Sequence, residues 1–328
     1  MKLSQNSKTF LRYLAGPFLF ILLGVVIWRE LTAKNQLNLL IHQLSGPFLF
    51  EHQGELLLLL GLMPLNWLLE AIKWRVALRT VHPVSLITAF RATLSGVSFS
   101  ILLPNRIGEY VGRILYLPAD KRANAVAVTI VSSMSQLIWT LVVGLGGFVL
   151  LTTPLQVASQ LNVSLFISFG IGVLILLVLL LLFFFRISRI TIYVAKLFSS
   201  TRIQQWLLGP SQFERKTLLT LLGLSLLRYV VFLLQYGIAL HLFGVLLNPI
   251  QIISAVSVCF LVLAVVPTFA IAELGMRGLI GIWIIGIYSS NTAGILLAAF
   301  SLWVVNLILP AGIGALLLLG VQKFWRNE

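Results

Sequence analysis

Negative charge is nearly missing from this chain. Nine acidic residues stand against 23 lysines and arginines, and the single aspartate is Asp120. Charge of either sign is scarce, at 10% of the 328 residues, where soluble domains carry about 25%. A metal-dependent phosphotransferase needs clustered carboxylates for its Mg²⁺, and no such cluster is written into this sequence. The four histidines, His42, His52, His82 and His241, have no metal-ligand spacing. The one cysteine, Cys259, excludes an intrachain disulfide. No nucleophile–base arrangement is legible from spacing. Enzyme chemistry is therefore not expected, and neither is a cofactor or a metal.

What the chain does have is apolar length. Hydrophobic residues make up 59% of it, which leaves no room for a separate soluble domain. The stretch from Phe166 to Phe185 carries no charge, and about 20 such residues cross a bilayer core. The expected class is an all-α integral membrane protein, with residues 1–328 forming one polytopic domain. Six full spans are expected over 13–31, 55–75, 123–151, 163–185, 217–243 and 293–320. The basic start, Lys2, Lys8 and Arg12 followed by an apolar run, has the look of a signal peptide. Trp28, Arg29 and Glu30 follow it instead of a small-residue cleavage site, so a retained first helix is expected.

Two further apolar regions, 84–117 and 250–288, are interrupted at Pro104-Asn105-Arg106 and Pro267-Thr268-Phe269. Proline removes a helical hydrogen bond and clashes with the preceding turn. Each region reads as two short helices meeting at an unwound tip, which is tolerated at membrane depth only within protein or beside a water-filled cavity. If the arms cross instead, the count becomes eight spans.

The formal net charge of +14 is read as positive-inside topology; no basic soluble module exists to bind nucleic acid. Lys2, Lys8 and Arg12 place the N-terminus inside, and Lys73, Arg75 and Arg79 return the chain there. The uncharged loop 152–162 suits the outside. A basic inner loop is expected over about 186–216, and Lys323 and Arg326 put the C-terminus inside. Within that loop Ile187, Ile190, Val194 and Leu197 recur at helical spacing, as in a helix resting on anionic lipid. The expected location is the inner (plasma) membrane, with both termini cytoplasmic.

This topology repeats itself upside down. Half one, about 13–151, and half two, about 163–320, each read span, span, broken hairpin, span, and a short outer loop joins them. Glu109 and Arg113 precede Glu273 and Arg277 by 164 residues, and Pro104 precedes Pro267 by 163. Pro83 and Ala89 precede Pro249 and Ala255 by 166, so a three-residue insertion between these prolines and the breaks aligns the halves. Inverted repeats with paired broken helices are characteristic of secondary transporters, whose site lies at the repeat interface.

Charges inside membrane segments are costly and usually face a cavity or one another. Glu109 and Arg113 are four apart on one helical face and can pair; Glu273 and Arg277 repeat the arrangement. Arg106 stands beside the first break, where freed backbone N–H groups favour an anion, and its planar fork suits phosphate. Arg228 lies about halfway along its span and needs a carboxylate, with Glu109 and Glu273 the expected candidates. Pro104, Gly108 and Pro267 mark the breaks. Gly144, Gly146 and Gly147 read as close helix packing, and Pro310 as a kink in the last span.

The segment LLPNRIGEYVGR resembles the Leu-Pro-x-Arg-x-Gly-Glu…Arg signature of the lysylphosphatidylglycerol synthase transmembrane domain family, and VPTFAIAELGMRG resembles its second signature. The likeness runs from about Leu65 to the C-terminus. It implies a flippase-like protein that moves a lipid or lipid-linked headgroup between leaflets, with anionic or zwitterionic membrane lipids as partners. It does not imply aminoacyl transfer, since these residues contain no soluble synthase domain. Phe269, Ala270, Ile271 and Ala272 stand where many relatives have glycines. On this reading Arg106, Arg113, Glu109, Glu273, Arg277 and Arg228 hold the substrate. A non-transporting scaffold for a lipid- or glycan-modifying enzyme is the alternative, and a membrane-embedded enzyme a third.

Overall fold

A computed structural model describes residues 24–25, 27–29, 31–32, 36–102, 107–159, 163–197, 201–265 and 270–324. Among them the regular structure is all helical: α1 (Leu37–Gln43), α2 (Gly46–Glu51), α3 (Gln53–Leu78), α4 (Leu86–Leu102), α5 (Gly108–Ile114), α6 (Arg122–Ser159), α7 (Val163–Leu197), α8 (Thr201–Ser211), α9 (Arg215–Leu242), α10 (Pro249–Val265), α11 (Ala270–Ile285), α12 (Thr292–Trp303) and α13 (Leu309–Phe324). Five helical stretches among the described residues are long and apolar enough to cross a membrane: Gln53–Leu78, Ala119–Leu151, Ser164–Leu197, Arg215–Leu242 and Thr292–Leu318. They match five of the six expected spans. The sixth, 13–31, lies mostly outside the described residues, as do both breaks, Pro104-Asn105-Arg106 and Pro267-Thr268-Phe269.

Two expected loops are helical instead. The 152–162 loop is taken up by α6 as far as Ser159, and the 186–216 segment continues α7 to Leu197 and then forms α8. Along the periodic face of that segment burial falls from Ile187, which is buried, to Leu197, which is 64% exposed. Ile187 and Thr191 are buried, the hydroxyl of Ser188 donates to the carbonyl of Ser211 on α8, and the Gly209 N–H donates to Asn124 Oδ1 on α6 at 3.0 Å. An α-helix propagates wherever its backbone groups are satisfied and one face is buried, and charge alone does not stop it.

The two broken regions begin alike. At the start of α4 the Thr88 N–H donates to Ser85 Oγ at 3.1 Å. At the start of α10 the Gln251 N–H donates to Asn248 Oδ1 at 2.9 Å, and the Asn248 N–H donates back to Gln251 Oε1 at 3.0 Å. Such caps satisfy N–H groups that have no partner within the helix. The capped helices are each 17 residues long and begin 163 residues apart. That offset equals the one between the breaks, so the three-residue insertion inferred from Pro83 and Pro249 is not needed. The second arms differ: α5 has 7 residues and α11 has 16. At 1.5 Å per residue α5 is about 10 Å long, far short of a bilayer core of about 30 Å, so this arm by itself does not cross.

Glycine sets the closeness of the first hairpin. A Cβ on Gly112 would lie 2.6 Å from the backbone of Gly96, one on Gly96 2.7 Å from the Glu109 carbonyl oxygen, and one on Gly108 2.0 Å from the Phe99 carbonyl oxygen. The packing between hairpins and spans is reciprocal. Helix α4 of the first half packs along α13 of the second, and α10 of the second half packs along α6 of the first. The two central spans, α3 and α9, pack on each other. Gly144 and Gly147 meet Leu261 and Ser254 of α10, as close packing predicts, whereas Gly146 faces open space. In the last span the turn from Val304 to Ile308 is π-helical and leads into Pro310. A proline cannot donate to the carbonyl one turn earlier, and a wider turn there is one way a helix absorbs the defect.

Candidate functional site

The central pair of spans is apolar along most of its length, yet α3 carries Asn66, Glu70 and Lys73 on one helical face. Glu70 is 4% exposed and Lys73 1%. Lys73 Nζ lies 2.8 Å from Glu70 Oε2. From α9, Arg228 Nη1 donates to the same oxygen at 2.6 Å. From α5, Arg113 Nη2 donates to Glu70 Oε1 at 3.0 Å and to Glu109 Oε2 at 3.2 Å. One carboxylate thus joins two spans to the short second arm of the first hairpin. Burial of isolated charges costs several kcal/mol each, and only dense mutual pairing offsets it.

Arg228 was expected to pair with Glu109 or Glu273. Its partner is Glu70, a residue that sequence reasoning passed over. Arg228 Nε also donates to Asn66 Oδ1 at 2.8 Å, and its guanidinium carbon lies 5.2 Å from the Trp67 ring and 5.3 Å from the Phe232 ring. Asn66 Nδ2 donates to Asn306 Oδ1 at 3.0 Å, inside the π-helical turn. Phe232 in turn meets Phe260 of α10, with ring centroids 6.3 Å apart. A continuous set of contacts therefore runs from the first hairpin through Arg113, Glu70, Arg228 and Phe232 to the second. Lys73 also changes role. It was read as an inner-surface charge, but it is buried against Glu70, and of that group only Arg79 is exposed.

Glu109 and Arg113 pair as their spacing predicts. So do Glu273 and Arg277, where Arg277 Nε donates to Glu273 Oε1 at 3.1 Å and Nη2 to the same oxygen at 2.5 Å. The Glu109 and Glu273 side chains keep only 22% and 10% of their surface exposed. Gly108 opens α5 just after the break, and it is also where the hairpin arms touch. Arg106, Pro104 and Pro267 lie outside the described residues. Arg113 is 1% exposed, and its Nε and Nη1 have no hydrogen-bond partner. Among the described residues no group of three or more His, Cys, Asp or Glu side chains could hold a metal ion. The cluster is rich in donors, two of them, Arg113 Nε and Nη1, unmatched.

The sequence profile of the lysylphosphatidylglycerol synthase TM region matches residues 13–314, nearly the whole chain. The chain belongs to this family. Membership, together with the five long apolar helices, makes it a multi-pass membrane protein of lipid metabolism or transport. No curated protein and no solved structure gives a match. Gly108, Glu109 and Arg113 lie within the matched residues. In this fold those residues close the first hairpin and engage Glu70. Asn66, Glu70 and Lys73 are polar residues four and three positions apart in an apolar helix, a signal that marks a polar face but not the partners it meets.

Proposed function

We propose that this protein is a flippase-like transporter that moves a lipid or lipid-linked headgroup between membrane leaflets. The observation that carries this reading is Arg113, a buried guanidinium held by two carboxylates through one nitrogen while two others have no partner. Arg106, beside the first break in the sequence, would add a second anion contact, and Glu109, Glu273, Arg277 and Arg228 would shape the remainder of the site. The reciprocal packing of α4 on α13 and α10 on α6 supports an inverted repeat, and equal first arms 163 residues apart support it further. Rocking of one half against the other would expose the site to each leaflet in turn. The expected setting is the inner membrane with both termini cytoplasmic and no catalysed reaction.

The test is reconstitution. Vesicles with the purified protein and a fluorescent-headgroup phospholipid are treated with an impermeant quencher. Transport predicts that signal protected in empty vesicles becomes accessible, and that Arg113→Gln slows this. Accessibility equal to that of empty vesicles for every lipid class would instead favour a scaffold.

A further inference from the structure

Helix α7 is longer than a membrane is thick. It runs from Val163 to Leu197, and its first charged residue is Arg186. At 1.5 Å per residue the uncharged stretch Val163–Phe185 is about 35 Å long, enough for a bilayer core of about 30 Å. The residues from Arg186 to Leu197 add about 18 Å more. A headgroup layer takes up only about 5–8 Å of that, and a typical tilt of about 20° shortens the projection by about 1 Å. The last turns of α7, with Tyr193, Lys196 and Leu197, therefore stand beyond the headgroups, in water.

The projection is a built surface rather than a loose loop. Helix α8 runs back along it: Ser188 donates to the Ser211 carbonyl, and Gln204 Nε2 donates to the Ala195 carbonyl at 3.4 Å. A Cβ on Gly209 would lie 2.8 Å from Val128 and 2.9 Å from Val81, so α8 is seated on α6 and on the turn after α3. Ile187 and Thr191 are buried on the inner side of α7.

The outer side of the same turns is uncovered. At about 100° per residue, Arg186, Arg189, Ile192, Tyr193, Lys196 and Leu197 fall on one stripe. All six are exposed. Large apolar side chains grouped in water mark a recognition surface, and tyrosine and arginine are the residues on which interfaces concentrate their binding energy. The stripe carries charge of one sign, since no Asp or Glu occurs between Asp120 and Glu214. A second copy of the chain would set the same cations face to face in a two-fold contact, which like-charge repulsion opposes. Lipid headgroups lie short of the last turns. An acidic protein surface satisfies both the charge and the position.

We propose that the stripe of α7 from Arg186 to Leu197 is a docking surface for a water-soluble protein that presents an acidic amphipathic helix. Carboxylates of that helix meet Arg186, Arg189 and Lys196, and its apolar residues cover Ile192, Tyr193 and Leu197. The inference goes beyond the transport reading and does not depend on it. It concerns the basic end of the bundle, where Arg79 and Arg215 are also exposed, the end that the positive-inside rule assigns to the cytoplasm.

The test uses the full chain in nanodiscs of phosphatidylcholine, with empty discs as background. The probe is a helical peptide of about four turns with glutamates and leucines on one face, and its control has serine in place of every leucine. The glutamate–leucine peptide is expected to bind, more weakly as salt rises. Tyr193→Ala should weaken it about tenfold, and so should Arg189→Gln combined with Lys196→Gln. With Arg189→Glu and Lys196→Glu together, preference is expected to pass to a lysine–leucine peptide, a gain that a misfolded variant would not show. A spin label on Leu197→Cys reads depth, because the native Cys259 is buried. The label is expected to collide with a water-soluble nickel chelate more than with oxygen, in phosphatidylcholine discs and in discs containing phosphatidylglycerol alike, and the acidic peptide should shield it. Peptide binding no greater than to empty discs overturns the inference, and so does equal binding of the serine control. A label that becomes oxygen-accessible and nickel-poor when phosphatidylglycerol is present overturns it too, because the stripe is then a face that rests on the membrane.

Discussion

Removing one negative charge at Glu70 exposes how the bundle is held. In Glu70→Gln the side chain keeps its size, but Lys73, Arg113 and Arg228 lose the carboxylate that touches them at 2.8, 3.0 and 2.6 Å. At such separations each contact is worth about 6 kcal/mol of gross Coulomb attraction at an effective dielectric constant of about 20. Most of that offsets desolvation, so the net effect is much smaller than the sum. Breaking a buried pair by removing one partner costs about 3–5 kcal/mol, a factor of roughly 10² to nearly 10⁴ in the folding equilibrium. The comparison is Asp120→Asn. Asp120 and Lys121 are 3.2 Å apart with side chains 68% and 44% exposed, and such a surface pair contributes about 0–1 kcal/mol. The assay is equilibrium unfolding of the purified protein in mixed micelles as the denaturing detergent fraction rises. A Glu70→Gln curve within 1 kcal/mol of wild type, or one matching Asp120→Asn, would refute the view that Glu70 is the central tie.

Gly112→Ala places a Cβ 2.6 Å from the Gly96 backbone and should destabilise by about 1–3 kcal/mol through overpacking, whereas Gly146→Ala, facing open space, should be neutral in the same unfolding assay. Arg106→Ala and Glu109→Ala should each abolish lipid translocation in reconstituted vesicles while leaving membrane insertion, scored by extraction and fractionation, largely intact; normal translocation in both would remove them from the site. Reporter fusions near Met1 and at Glu328 should both give cytoplasmic signals, and an external signal from either would sink the inside–inside topology.

Much of the candidate site was legible because it is local. Glu109 with Arg113 and Glu273 with Arg277 are four residues apart, and an α-helix brings such positions together whatever surrounds it. The close-packed Gly144 and Gly147 were legible for a similar reason, since small residues in an apolar helix invite a neighbour. The partner of Arg228 was not. Glu70 is 158 residues away from it, and three carboxylates were equally available on paper. Lys73 was misread because a lysine near the end of an apolar run looks the same whether it reaches water or turns inward to a carboxylate.

The residue order alone therefore determined the membrane class, five of the expected spans and the pairs within single helices. These depend on apolar length and on the helical repeat, both properties of short stretches of chain. Only the tertiary structure decided that Glu70 gathers Lys73, Arg113 and Arg228, that α4 and α10 pack against the last spans of the opposite halves, and that the expected loops at 152–159 and 186–197 are helix. Those outcomes depend on which distant segments share a buried surface. A buried charge is satisfied by whichever counter-charge the packing brings within reach, and sequence separation carries no record of that distance.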